Sequence, residues 1–507
     1  MEMKRRNNIN RIALMLVLLL MVSSSWAKKK PNFLFIITDD QTNESIHALN
    51  NPDITTPHLD KLSSQGVVFT HCFNQGSWSG AVCIASRTML NTGRSVFRAP
   101  NNASYLPYQG KGVKGSEQVA LWGETLRKSG YHTYLTGKWH NSDLSVKKSF
   151  DRAEAIGHGM YQSRDKNGDH KPAYNRDGSA DEVWKAWDKQ FTGHWKPTVK
   201  DLIYDEDGKP QIGKNYDVHE HTTNLFADKA INYLMTEAKY SDDPFFMYVA
   251  FNAPHDPRQA PKRFVDMYPR EKMKTPASFM GEHPFDQGDH KIRDEVLAPF
   301  PRTKEAVQVH QSEYYAIITH FDEQLGRILD ALKATGKADN TYIIFTSDHG
   351  LAVGKHGLMG KQSQYDHSVR MPLIIAGPKL EGGRKVDEMV YMQSVYATTC
   401  DLAGIKTPNT VEFRSIAQLL KDDKAKGEKY IFGTYKKFQR MIRSERYKLI
   451  LYPQVKEAQL FDLKNDPEEL NNLYGKTEVK NIQQELFTAL KQKQQELGDN
   501  LKLDMFQ

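Results

Sequence analysis

Short apolar runs alternate with amphipathic stretches along most of the chain, the pattern of a large, mostly parallel α/β sheet flanked by helices. Four runs define it: Asn32 to Thr38 (NFLFIIT), Tyr131 to Gly137 (YHTYLTG), Phe245 to Phe251 (FFMYVAF) and Thr341 to Ser347 (TYIIFTS). Each reads as a buried strand and is followed within a few residues by charged or titratable groups. These are Asp39 and Asp40, Lys138 and His140, His255 within NAPH, and Asp348 with His349. Ligands of open α/β sheets bind beyond the carboxyl ends of the strands, so the pattern predicts that these groups converge. A strand running out into a polar loop explains any one run; four together favour a site.

Two stretches break the alternation. From His140 to about Thr222 the chain is polar and rich in Trp, Tyr, Gly and Asp, and from Pro261 to Arg302 it is irregular and rich in proline and charge. Loops of this length in a compact domain are functional or disordered. Beyond a helix expected around Gln393 to Ala403, the charged run KDDKAKGEK (Lys421 to Lys429) reads as a surface loop or linker. MIRSERYKLILY and QLFDLKND then read as short strands, and Val479, Ile482, Leu486, Leu490 and Leu497 keep helical spacing up to a capping Gly498. The predicted organisation is an α/β domain over 28–405 and a smaller α+β subdomain over 406–507, a short antiparallel sheet plus a terminal helix.

The N-terminus adds a compartment. A basic start (Lys4, Arg5, Arg6, Arg11), an apolar run from Ile12 to Val22 and small residues at Ser25 and Ala27 form a secretory signal over 1–27. The expected location is the periplasm or outside the cell. The apolar run is too short to span a bilayer comfortably and none like it follows, so no stable membrane anchor is expected. Cleavage after Ala27 removes four basic residues and Glu2, which lowers the formal charge from +7 by three to +4. That excess is too small to imply a nucleic-acid partner. With only Cys72, Cys83 and Cys400, the chain is no disulfide scaffold; Cys72 and Cys400 are left as free thiols or one bridge.

Candidate chemistry follows from the strand ends. Asp39, Asp40 and Asp348 make a hard, oxygen-rich pocket suited to calcium or magnesium, with His349 adding a nitrogen. Lys138, His140, His255 and Lys361 supply cations for an anion and imidazoles that move protons. No P-loop of the GxxxxGKS type is present, which points away from a nucleotide and toward another anionic tetrahedral group. Cys83 lies near the start of a helical segment ending at Gly93, where the helix dipole favours an anion, and Arg87 lies one turn later on the same face.

These residues bring a family into view. CIASRTMLNTG, with Cys83, Ser86, Arg87 and Gly93, resembles the signature of the type I, formylglycine-dependent sulfatases of the alkaline phosphatase-like superfamily. TDDQ, GKWH, NAPH, TSDHG, GLMGKQSQYDHSVRMPLII and FDLKNDPEELNNL resemble the family's other blocks, in its order. The resemblance implies that Cys83 is oxidised to formylglycine by a maturing enzyme and that Asp39, Asp40, Asp348, His349 and residue 83 hold one calcium ion, in preference to magnesium. It further implies a formylglycine diol attacking sulfur to give a covalent sulfate intermediate. His255 would act as general acid, assisted by Lys361, and His140 as base; Lys138 and Arg87 would hold the reacting oxygens. At Ala85 the chain departs from the family's usual proline.

The resulting expectation is a bacterial polysaccharide sulfatase acting on sulfated polysaccharide or oligosaccharide. Trp184, Trp187 and Trp195 in the insertion, and Trp78 before the cysteine motif, fit sugar-stacking positions; a core for the insertion explains the first three equally well. A phosphonate or phosphate ester hydrolase of the same superfamily and a non-catalytic sulfated-glycan binder are the alternatives.

Overall fold

The computed structural model describes residues 29–100, 118–159, 173–179 and 182–506. The signal expected over 1–27 and part of the polar insertion lie outside the described residues. In chain order the strands are β1 (Asn32–Thr38), β2 (Val67–Phe73), β3 (Gly76–Ser77), β4 (His132–Lys138), β5 (Arg152–Gly157) and β6 (Thr198–Lys200). There follow β7 (Leu202–Tyr204), β8 (Pro210–Ile212), β9 (Tyr216–Asp217), β10 (Phe245–Ala250), β11 (Thr341–Ser347) and β12 (Arg370–Ala376). The last six are β13 (Arg384–Val386), β14 (Val390–Tyr391), β15 (Ile431–Tyr435), β16 (Gln439–Arg443), β17 (Tyr447–Tyr452) and β18 (Glu457–Asp462).

Among the described residues, an eleven-stranded sheet runs β13, β2, β12, β11, β1, β10, β4, β5, β6, β9, with β14 also paired to β2. Its five middle strands, β11, β1, β10, β4 and β5, are parallel. The four apolar runs of the sequence are four neighbours at its centre. In the register, Thr38 lies opposite Ser347, so the residues after β1 and β11 emerge side by side.

Alternation along β1 sends Leu34 and Ile36 into one apolar layer, with Leu59, Phe226 and Ile317 from covering helices. Phe33, Phe35 and Ile37 enter the other, against Leu90, Trp122, Leu126 and Val395. Burying each such side chain contributes roughly 1.5–3 kcal/mol, which is why the sheet makes a rigid floor for the loops above it. The 31-residue helix Lys304–Ala334 crosses the first layer, its start capped by the Thr303 side chain accepting from Ala306 N–H.

The C-terminal residues form a second sheet, β18, β17, β16, β15, β3, covered by the helix Lys480–Leu497. Leu486, Ala489 and Leu490 of that helix pack on Ile442, Leu449 and Leu451. Gly498 caps it at φ 77, as the spacing predicts. β3 comes from the segment before Cys83 and runs parallel to β15. A Cβ on Gly76 would lie 1.9 Å from the Thr434 carbonyl oxygen, so only glycine admits this pairing. The small sheet is thereby bonded to the segment that leads into Cys83.

Candidate active site

Asp39 and Asp40 leave the end of β1, and Asp348 and His349 leave the end of β11. Asp40 sits at φ 70, a left-handed conformation uncommon for a non-glycine residue. It is held there by Tyr314 of the long helix, whose hydroxyl donates to the Asp40 carbonyl at 2.6 Å, and by its own N–H to Asp348 Oδ1 at 3.3 Å. The Asp348 carbonyl accepts from Asn74 Nδ2 at 2.7 Å and Ser86 Oγ at 2.6 Å.

Cys83 is the second residue of the helix Val82–Thr92, which ends at Gly93 with φ 64. Its Sγ lies 3.3 Å from His349 Nε2 and 3.3 Å from Lys361 Nζ. Arg87, one turn on, is wholly buried. Its Nε donates to Asp348 Oδ2 at 2.9 Å, Nη1 to the Lys138 carbonyl at 2.7 Å, and Nη2 stands 3.6 Å from Asp39 Oδ2. Lys138 is ion-paired with Asp39, and Lys361 Nζ donates to both oxygens of Asp40 at 2.7 and 2.9 Å. His255 Nε2 is 3.9 Å from Asp40 Oδ2, while its Nδ1–H donates to the Asp256 carbonyl at 2.7 Å. His140 follows β4 at φ 55, with its ring against Gly159 and within the electrostatic reach of Lys138 and Asp39. The fold therefore gathers the strand-end groups, Cys83, Arg87 and Lys361 at one end of the sheet.

Burial dominates the electrostatics. It works to raise the Asp39 carboxyl, but Lys138, ahead of His255 and Arg87, holds that carboxyl well below the usual range. Asp40 goes the other way, pushed up by burial and by Asp39 and Asp348 against the pull of Lys361. Burial, then Asp39, pushes the Cys83 thiol up, so the protein alone does not favour a thiolate there. Burial and then neighbouring cations keep His140 and His255 neutral. Lys361 stays charged: burial works against its ammonium, but Asp40 outweighs it.

The donor set fits a metal. Ligand atoms of Asp39, Cys83, Asp348 and His349 lie within 4.8 Å of one another, as do those of Asp39, Asp40, Cys83 and His255. Asp39 Oδ1 is buried and accepts no hydrogen bond, while Oδ2 has the Lys138 ion pair. Such a group is costly unless something else coordinates it. His349 Nδ1–H donates to the Gly350 carbonyl at 2.9 Å, an arrangement that turns the Nε2 lone pair toward the carboxylates.

Four supporting groups escape sequence reasoning. Asn74, Tyr314 and Asp294 carry no local motif; Asp294 lies 3.7 Å from Lys361 Nζ and pairs with Arg293. His194, in the insertion, donates to the His255 carbonyl. Of the two readings open for the tryptophans, the structure takes the insertion core for Trp184 and Trp195. Trp184 is 2 % exposed and packs on Phe191 and Ala173, and Trp195 is 8 % exposed with its indole N–H on the Ala186 carbonyl. Both are insertion core, with no face free for a sugar. Trp187 is half-buried beneath Lys262, and Trp78 packs against the small sheet's core. Cys72 and Cys400 are buried free thiols.

The family model described as Sulfatase matches residues 31–405 of this chain. The chain belongs to the sulfatase family. As a sulfatase it is a sulfuric ester hydrolase, and the model of an N-sulphoglucosamine sulphohydrolase C-terminal region matches residues 354–496. An arylsulfatase of Clostridium perfringens is 29% identical over 89% of this sulfatase and 92% of its own length. An N-acetylglucosamine-6-O-sulfatase of Bacteroides thetaiotaomicron is 26% identical, covering 93% and 88%. An ulvan-active sulfatase of Formosa agariphila is 28% identical, covering 93% and 83%. In fold, the sulfatase matches a structure solved with its substrate D-glucosamine-2-N,6-O-disulfate, at TM-score 0.70 and 24% identity, covering 93% of this chain and 99% of that one. A phosphonate monoester hydrolase of Silicibacter pomeroyi shares the fold at TM-score 0.66 and 21% identity, covering 93% and 96%.

Proposed function

We propose that this sulfatase desulfates a sulfated oligo- or polysaccharide, with residue 83 matured to formylglycine and calcium held by Asp39, Asp40, Asp348, His349 and residue 83. One observation carries the reading. Three buried carboxylates (Asp39, Asp40, Asp348) meet three buried cations (Arg87, Lys138, Lys361) around Cys83, and Asp39 Oδ1 accepts no hydrogen bond. The formal sum is zero, so a bound dication leaves the pocket at plus two, the sign that attracts a sulfate ester. Hard oxygen donors favour calcium.

Formylglycine would supply a geminal diol: one hydroxyl attacks sulfur and so carries the sulfate, and loss of the second hydroxyl's proton expels that sulfate and restores the aldehyde. Calcium supplies positive charge that lowers the cost of ionising that hydroxyl. The chain's own residues do the rest. Lys138 and Lys361 hold the anion from two sides, and Arg87 fixes Asp348 and the Lys138 carbonyl so that the cage does not move with the charge. His255, with its Nδ1–H committed to the Asp256 carbonyl, turns Nε2 into the pocket; the negative charge of a bound sulfate ester would favour protonation there, and that proton would then go to the departing sugar oxygen. His140, kept neutral, would accept the proton of the second hydroxyl. A positioned acid of this kind contributes about 10²–10⁴-fold.

The carbohydrate reading is supported by relatives whose names record action on N-acetylglucosamine-6-sulfate and ulvan. Export to the periplasm or beyond, a domain boundary after residue 405 and dependence on a maturing enzyme belong to the same proposal. Two experiments test it. Mass spectrometry of the peptide around residue 83, from a host with a maturing enzyme, should show the aldehyde or its hydrate; unmodified cysteine in fully active protein would overturn it. Turnover of sulfated sugars, aryl sulfates, phosphate diesters and phosphonate esters should favour sulfated sugars; preference for phosphorus would transfer the site to the phosphonate hydrolases, and binding without turnover would make it a glycan binder.

A further inference from the structure

We propose that His194 is a positioning residue for His255, and that the insertion between β5 and β6 serves to brace the general acid; this rests on the reading of His255 given above. His194 lies in a short turn, Gly193–Trp195, and is 1 % exposed. Its Nε2–H donates to the His255 carbonyl at 3.0 Å, and its Nδ1 accepts from the Thr222 hydroxyl at 2.5 Å. Burial keeps the ring neutral, with its pKa pulled down to about 4, so one nitrogen donates and the other accepts.

The turn is stitched to the His255 loop at further points. His194 N–H donates to Gln259 Oε1 at 2.8 Å, Gln259 Nε2 donates to the Phe191 carbonyl at 3.2 Å, and His221 Nε2–H donates to the Gln259 carbonyl at 2.9 Å. Gly193, at φ 83, approaches so closely that a Cβ would lie 2.6 Å from Gln259 Oε1 and 2.7 Å from Pro257. The buried histidines His194 and His221 stack at 5.2 Å, and Trp195 closes over His221. These aromatic residues are spent on the loop and not on a sugar.

The consequence follows from the peptide geometry. His255's carbonyl and the amide of Asp256 share one plane, and the Asp256 carbonyl that holds His255 Nδ1 lies in the next peptide unit, whose orientation follows from how that plane is set. If the His194 donor is lost, that plane is free to turn, the Nδ1 bond loosens and Nε2 loses its aim. A misplacement of about 1 Å costs roughly 10²-fold in a positioned step.

The test reads leaving-group dependence across aryl sulfates from 4-nitrophenyl to 4-methoxyphenyl sulfate, because a poor leaving group needs the proton more. His194→Phe keeps the shape and removes the donor. It should lower kcat for the 4-methoxyphenyl ester by about 10–100-fold and for the 4-nitrophenyl ester by less than about threefold, steepening the plot as His255→Ala does. His194→Gln, which restores an N–H donor, should recover most of the loss. Should His194→Phe fail to fold, Thr222→Val frees the same ring and should steepen the plot to a smaller degree. Equal losses on all esters, or no recovery with Gln, would mean that His194 only supports the fold, and the proposal fails. If His255→Ala itself leaves the slope unchanged, the general-acid reading fails and takes the proposal with it, an outcome recognisable because it appears in the His255 variant first.

Discussion

Around Cys83, the buried Oδ1 of Asp39 accepts no hydrogen bond, whereas around Asp366, at the joint between the two sheets, every carboxylate oxygen is taken. Asp366 is held by Arg443 and Lys448, and Glu469 accepts from Lys448 Nζ at 2.6 Å and from Asp366 N–H at 2.8 Å. Both clusters are buried and both combine carboxylates with cations. They differ in completeness. Burial works to raise Asp366, but Arg443 and Lys448 hold it well below the ordinary range, and burial lifts Glu469 to about 7 against Lys448. A closed set of partners makes a joint. The incomplete set keeps unsatisfied oxygen for an ion and cations for an anion, and its cost is borne by the packed sheet beneath it.

The widest separation between the two clusters should come from Cys83→Ala. Activity should fall by at least about 10⁴-fold while the melting temperature hardly moves, measured on the same preparation by turnover and thermal melt. A stable variant with near-normal turnover would erase the contrast. Lys448→Met should do the reverse, leaving Asp366 and Glu469 short of a cation. Urea unfolding should show a loss of about 3–5 kcal/mol, with turnover per folded molecule retained.

Metal removal sharpens the comparison further. Stripping with EGTA and restoring calcium at about 100-fold over its Kd should raise stability by about 3 kcal/mol, read as a melting shift without substrate. Asp39→Asn should abolish that shift, and Glu469→Gln should leave it in place. The smallest effect per residue belongs to pH and to the joint. His356 stacks on Tyr365 at 4.0 Å and His283, with its Nδ1–H on the Phe285 carbonyl, accepts from the Tyr365 hydroxyl at 3.0 Å; burial pulls both histidines from 6.5 down to about 4. Between those values the unfolded chain binds protons that the folded chain refuses. Stability should therefore be full above 6.5 and fall as pH drops toward 4, by about 2 kcal/mol for each histidine at pH 5. Thermal melts from pH 7 to 4.5 should show this slope, and the double variant His283→Gln, His356→Gln should flatten it.

Much of this was legible before any coordinates. The four apolar runs are the four central strands because strands covered on both faces need continuous apolar residues, and such runs advertise themselves. The terminal helix and its Gly498 cap were equally plain, since their causes lie within a few residues. The tryptophans stay undecided in sequence because an aromatic-rich loop reads the same whether its rings face a sugar or each other; Trp184 and Trp195 face inward. β3 was invisible, two residues long and paired with a strand more than three hundred residues later. Tyr314 sits in an ordinary helical repeat, and nothing nearby marks its hydroxyl as the support of Asp40.

By itself, the sequence determined the sheet-centred architecture, the chemistry available at the strand ends and, through the order of its motifs, the resemblance to sulfatases. These rest on local periodicity and on residue type, which short stretches carry whole. Only the tertiary structure decided that Asp40 and Asp348, 308 residues apart, share one hydrogen bond, that one Asp39 oxygen is left without a hydrogen bond while both of Asp366 are taken, and that the aromatic insertion grips His255. Those are matters of which distant groups meet and which are kept from water, and burial sets their energies more than identity does.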